Sequence, residues 1–118
     1  MPKNRLTYRK GDIRWVKLDP TMGAEAQKTR ACLIVQSDVI NKYGLLTIVM
    51  PLMRGQKNAP YVVNIKATSE NGLDCDRYLD VAQVRSVSYE RILGKIGGLE
   101  DSYWKQIQLS LDIVLDFI

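Results

Sequence analysis

Histidine is absent from this 118-residue chain. That gap removes every ribonuclease or hydrolase that works through imidazole, the Ser-His-Asp and Cys-His nucleophile systems, and the usual zinc sites. Any catalysis must rest on Arg, Glu, Lys, Tyr, Ser or Thr. Cysteine is nearly as scarce. Cys32 and Cys75 are the only two, too few for a disulfide framework, and both are expected reduced and buried in a cytoplasmic protein. Long apolar runs are missing as well. The longest, Leu45 to Leu52, holds eight residues and includes Thr47 and Pro51, far short of the roughly 20 that span a bilayer. No membrane partner is expected. The first ten residues carry four bases with no apolar stretch behind them, which is not the composition of a signal peptide.

What is present describes one ordinary folding unit. Hydrophobic residues make up 46% and charged residues 25%, so the expectation is a single globular domain over residues 1–118. The net charge of +4 is unevenly spread. Residues 1–57 hold eleven bases against four acids, a net of +7, and residues 58–118 hold six bases against nine acids, a net of −3. The basic half, with Lys28, Arg30, Lys42, Arg54 and Lys57, suits a phosphate-bearing partner. It equally suits a solvated mixed-charge surface.

Along the chain the periodicity is mostly that of strands. Asp12 to Leu18 alternates, placing Ile13, Trp15 and Lys17 on one face and Arg14, Val16 and Leu18 on the other. Asp19-Pro-Thr-Met-Gly23 opens a loop that runs to about Lys28. Cys32–Val35 and Leu45–Met50 are short branched runs expected as core strands. Tyr61–Ile65 follows Pro60 as another strand, and Asn71-Gly72 is a turn signal ahead of Arg77–Val81 and Val84–Val87. Gly97-Gly98 then marks a stop. Trp104, Ile107, Leu111, Val114, Leu115 and Ile118 recur at helical steps, with Glu100, Asp101 and Ser102 placed to cap the helix. The fold class expected is mainly β with one C-terminal helix, a small antiparallel barrel or sheet.

Read in order, several motifs resemble the MazF/PemK toxin family, which shares its fold with the CcdB gyrase poisons. Gly11-Asp12-Ile13-Arg14-Trp15-Val16 with Leu18-Asp19-Pro20-Thr21 resembles the family's opening motif. Gly23-Ala24-Glu25-Ala26-Gln27-Lys28-Thr29-Arg30 is similar to its next loop, and Leu33-Ile34-Val35 to the strand beyond. Asn41, Pro51 and Pro60 fall at family landmarks. Gln83-Val84-Arg85-Ser86-Val87 resembles the Asp-Gln-Ile-Arg-Thr-Ile motif, and Ile96-Gly97-Gly98-Leu99 the approach to the helix. The resemblance covers roughly residues 9–117. It implies an SH3-like barrel, a homodimer, a cognate antitoxin with an acidic C-terminal tail, and metal-independent cleavage of single-stranded mRNA. In that reaction a ribose 2′-hydroxyl attacks phosphorus, leaving a 2′,3′-cyclic phosphate and a 5′-hydroxyl.

The same resemblance assigns roles to particular residues. Arg30 stands at the catalytic arginine, where a guanidinium can hold two phosphoryl oxygens and stay charged. Glu25 matches the loop carboxylate, a candidate base for the 2′-hydroxyl. Lys28, Arg54, Lys57, Gln83 and Arg85 are the expected RNA contacts, Arg85 with a competing role in tying the sheet. Trp15 is expected in the core, although it and Tyr43 could stack on bases. Met53 departs from the pattern, standing where the family commonly has a Thr or Ser hydroxyl, since a thioether neither donates nor takes a proton. Thr47, Ser37 or a shifted Arg54 would then have to compensate. Ala26, Ala31 and Ala82 are lesser departures. Three alternatives remain beside the nuclease: a weakened family member that binds nucleic acid under antitoxin control, a CcdB-like inhibitor acting by binding, and a generic barrel-type interaction module with no RNA role.

Overall fold

The computed structural model describes residues 7–117. Its strands are β1 (Asp12–Lys17), β2 (Thr29–Ile34), β3 (Leu46–Arg54), β4 (Val62–Ile65), β5 (Arg77–Asp80), β6 (Arg85–Ser88) and β7 (Ile92–Gly98). A short helix α1 (Asp38–Asn41) precedes β3, and α2 (Trp104–Val114) ends the fold. All strand pairs are antiparallel, in the order β4-β5-β3-β2-β1-β7, with β6 also on β3. The mainly-β expectation with one C-terminal helix holds.

The nine-residue β3 organises the sheet. One edge pairs with β2, and the other pairs first with β6 and then with β5. Val49 lies opposite Arg85 and Leu52 opposite Leu79, so the 3-10 turn Val81–Gln83 bulges out between them. Pro51 sits opposite that bulge. A proline can occupy an interior strand only where no ladder donor is required, and the interruption supplies such a place. The strand expected to stop at Met50 therefore runs on to Arg54.

Alternation gives the sheet two faces. One carries Ile13, Leu33, Met50, Leu52, Val63, Ile65 and Leu79, which form a core with Ile107 of α2. The helix lies over β4 and the 3-10 turn. Leu33, Leu52 and Leu79 have no exposed surface, and each such side chain contributes about 1.5–3 kcal/mol of burial. The other face carries a second cluster, with Val16, Leu18, Cys32, Ile34, Val49, Val87 and Ile92.

Several expectations need correction. Trp15 is 42% exposed rather than core, because the helix lies over the opposite part of the sheet and leaves this end of β1 uncovered. Cys75 is half-buried, while Cys32 is buried as expected. No side chain of Glu100, Asp101 or Ser102 caps α2, which is entered through a 3-10 turn at Asp101–Tyr103. The Glu100 carboxylate instead accepts from Asn71 Nδ2 at 3.0 Å. The helical stripe reaches Val114, and Ile118 lies outside the described residues. The Asn71-Gly72 turn is present. Gly72 has φ +70°, and a Cβ there would stand 2.1 Å from the Ile96 carbonyl oxygen, so only glycine fits.

A candidate active-site cleft on the face opposite the helix

Arg30 enters the site as the second residue of β2. Cys32 is opposite Pro51 at the end of the β2–β3 pairing; Arg30, opposite Val16 of β1, and Met53 each lie two residues beyond and so belong to the same face. Met53 is opposite Tyr78, and Tyr78 is opposite Asn64. One rung across β3, β5 and β4 thus reads Met53, Tyr78, Asn64, with Arg30 of β2 on the side of Met53 away from Tyr78. Arg85, opposite Val49, belongs to the same face. The face's apolar cluster supports these groups from below, with Met53 packed against it.

Beside this rung lies a cleft of about 360 Å³ lined by Leu18, Glu25, Ala26, Pro51, Ala82, Gln83, Val84 and Arg85. Its rim is the loop between β1 and β2, closed on itself at several points. Leu18 N–H donates to the Lys28 carbonyl at 2.9 Å, and Thr21 Oγ1 donates to Asp19 Oδ1 at 2.9 Å. The Lys28 backbone N–H and the Thr21 hydroxyl hold the Asp19 carboxyl below its ordinary pKa. Arg91 reaches the Lys17 carbonyl at 2.9 Å and also the Asp19 carbonyl.

The loop is then fastened across the cleft. Ala26 N–H donates to Gln83 Oε1 at 2.6 Å, while Gln83 Nε2 donates to Asp80 Oδ2 at 2.9 Å. Ala26 is buried in the second cluster, so this small residue allows close approach of the loop. Glu25, next along, is exposed at the mouth. It makes no ion pair among the described residues, so its carboxylate is not consumed by Lys28 or Arg30.

Positive charge concentrates under the cleft. Burial pushes the Cys32 thiol up to about 12, against the opposing pull of the nearby Arg30 and Arg85 guanidiniums. Both cations therefore lie near the same buried sulfur. Arg85 Nη1 donates to the Leu18 carbonyl at 3.4 Å, which ties the sheet to the loop. Arg30 Nε and Asp80 Oδ1 are buried with no hydrogen-bond partner among the described residues. Leaving such atoms unpaired is costly, and both stand on this face.

The remaining expected contacts are more scattered. Lys28, at φ 65°, is exposed where the loop turns into β2. Lys57 lies over the rings of Tyr61 and Tyr78, at 5.2 and 6.0 Å, and its hydrogen bond to Tyr61 raises its pKa. Arg54 is not brought to Arg30: its register places it on the helix-side face, ion-paired with Asp74 at 3.2 Å. Among the possible stand-ins for the missing hydroxyl, Thr47 has no exposed surface and gives its hydroxyl to Asn41 Oδ1 at 2.7 Å. Ser37 caps α1, its Oγ accepting from Val39 N–H at 3.3 Å. Tyr43 is exposed beside α1. Asp80, Tyr61, Tyr78 and Asn64 were not singled out from the sequence. Their alternation was readable, but the register that sets them beside Met53 was not.

Comparison with known proteins gives this architecture a family. The model of the PemK-like, MazF-like toxin of type II toxin–antitoxin systems matches residues 9–115. Endoribonuclease MazF9 of Mycobacterium tuberculosis is 32% identical, covering 92% of this chain and 96% of its own. Endoribonuclease EndoA of Bacillus subtilis is 24% identical, covering 96% and 98%. In fold, MazF of Deinococcus radiodurans superposes with a TM-score of 0.79 at 18% identity, covering 94% of this chain and 98% of that one. An endoribonuclease from Mycobacterial species, solved in complex with its cognate antitoxin, gives 0.78 at 14% identity over 95% and 98%. The chain belongs to the PemK-like, MazF-like toxin family of type II toxin–antitoxin systems.

Proposed function

We propose that this chain is the toxin of a toxin–antitoxin pair and an endoribonuclease that cleaves single-stranded RNA without a metal. The observation that carries this reading is a cleft lined by Arg85 and an unpaired Glu25 on the face opposite the helix, with Arg30 beside it near the same buried Cys32. The scissile phosphate would lie between Arg30 and the cleft, its non-bridging oxygens held by the guanidinium. The 2′-oxygen bonds to phosphorus as its proton passes to the Glu25 carboxylate. The P–O5′ bond breaks, and the leaving oxygen takes up a proton from solvent. One product ends in a 2′,3′-cyclic phosphate and the other in a 5′-hydroxyl. Arg30 opposes the charge that builds on the phosphoryl oxygens. Lys28, Lys57 and Gln83 line the approach for the flanking backbone and bases, and Arg54 lies further out.

The working form is a cytoplasmic, symmetric homodimer of SH3-like barrels. Supporting this, Ile40, Tyr43, Leu45 and Leu46 are all more than half exposed. Nearby, Ile48, Met50, Trp104, Leu111 and Leu115 line an apolar groove of about 470 Å³ between β3 and α2. Apolar surface of this extent is characteristic of an interface. The antitoxin would lay an acidic, flexible tail over the basic loops and block the cleft. Incubation with a long, weakly structured RNA in EDTA tests the activity. Discrete fragments with 5′-hydroxyl ends are expected, and intact RNA would favour a binding-only role for this Met53-bearing chain.

A further inference from the structure

Met53 leaves its place on the rung without a hydroxyl, yet its cross-strand neighbour carries one. Tyr78 is directly opposite Met53 on the same face, and neighbouring strands are only about 4.8 Å apart. A phenol reaches much further from the backbone than a threonine hydroxyl. From β5 the tyrosine can therefore place its oxygen over Met53, facing the guanidinium that arrives from β2 on the other side. The candidates suggested by sequence are engaged elsewhere: Thr47 by Asn41, Ser37 in capping α1, and Arg54 by Asp74.

The surroundings of Tyr78 hold its ring in place and leave its oxygen available. The ring is half-buried and lies under the Lys57 ammonium, which is shared with Tyr61. Lys57 is itself clamped, because Asn64 Oδ1 accepts from Lys57 N–H and Asn64 Nδ2 donates to the Lys57 carbonyl, each at 3.0 Å. The Tyr78 hydroxyl makes no hydrogen bond among the described residues and is not shut away from solvent. Packing alone would be met by phenylalanine, so the hydroxyl is left without a structural task.

We propose that Tyr78 supplies the hydroxyl that Met53 lacks, its O–H donating a hydrogen bond to a non-bridging oxygen of the scissile phosphate beside Arg30. The inference rests on the RNA-cleaving reading of this cleft. No proton is transferred in this role. The hydrogen bond strengthens as negative charge builds on that oxygen, which makes Tyr78 a catalytic residue rather than a binding one.

Four proteins separate the outcomes: wild type, Tyr78→Phe, Met53→Thr and the double variant, each checked by thermal melt and RNA binding and then assayed on a long, weakly structured RNA. Tyr78→Phe should slow cleavage about a hundred-fold with melting temperature and RNA affinity unchanged. Adding Met53→Thr to Tyr78→Phe should restore most of that loss, because the hydroxyl returns one strand away. Undiminished cleavage by Tyr78→Phe would overturn the proposal, as would a loss that Met53→Thr does not repair or one explained by a lower melting temperature. An inactive wild type with an active Met53→Thr variant would overturn the role of Tyr78 and keep the nuclease reading. Inactivity of all four would overturn both.

Discussion

The two faces of the sheet are built from the same strands and divide the labour residue by residue. On β2, Ala31 and Leu33 point into the helix-covered core while Arg30 and Cys32 belong to the opposite face. On β3 and β5, Leu52 and Leu79 are fully buried beneath the helix, while Met53, Tyr78 and Asp80 face the cleft side. The covered face is closed mainly by apolar packing, with the buried Arg77 guanidinium at its edge. The other combines an apolar floor with the Arg30 and Arg85 cations and the buried Asp80 carboxylate. A strand with period 2 can thus hold a site rigidly without spending core positions on it. Substitutions on one face should cost stability, and those on the other should cost activity.

The largest effect on stability belongs to the covered face. Leu33→Ala should destabilise the fold by about 2–5 kcal/mol, visible in urea unfolding, with cleavage per folded molecule unchanged. A Leu33→Ala protein that melts normally but cleaves poorly would break the division. A smaller effect is expected at the tether between the faces. Gln83→Ala strips the Ala26 N–H and the buried Asp80 carboxylate of their partners. Such losses cost about 1–3 kcal/mol, and proteolysis should then speed up within the 19–28 loop.

The smallest effect concerns the floor of the cleft. A folded thiol with its pKa near 12 stays protonated at pH 8, so Cys32 should resist iodoacetamide while half-buried Cys75 reacts. Because the folded pKa lies above the ordinary value near 8.5, Cys32 supports folding fully below that pH. Its support fades as pH rises from there towards 12. Cys32 labelling as fast as Cys75 in folded protein would show the floor to be open.

Much of this arrangement was legible from residues alone, wherever local pattern decides the structure. The alternation of Ile13 and Val16, the helical stripe from Trp104 to Val114 and the Asn71-Gly72 turn all follow from period and turn chemistry. The loop with Glu25 and Arg30 was readable because its spacing resembles that of a family. What stayed hidden depends on distant pairing. β7 holds Gly94, Gly97 and Gly98, residues that weaken strand propensity, and it forms because β1 lies beside it. The four residues of α1 are too few for a periodic signal. Pro51 looked like a strand end because nothing local announces the 3-10 turn opposite it. Gln83 meets Ala26 across 57 positions of sequence, and Tyr78 meets Met53 across β3 and β5, neither of which a period reveals.

The central claim is that the face opposite the helix cuts RNA through Arg30, and two single-charge deletions on opposite faces test it most directly. Lys105 is exposed on α2, so Arg30→Ala and Lys105→Ala remove the same charge from the two sides of the sheet. RNA is incubated with each protein in EDTA, and the rate of appearance of 5′-hydroxyl ends is measured. Arg30→Ala should lose about a hundred- to a thousand-fold in rate, with Arg30→Lys recovering little because a point charge cannot reproduce the two-oxygen fork. Lys105→Ala should cleave as wild type does. Equal rates for Arg30→Ala and wild type, with both proteins folded, would contradict the account.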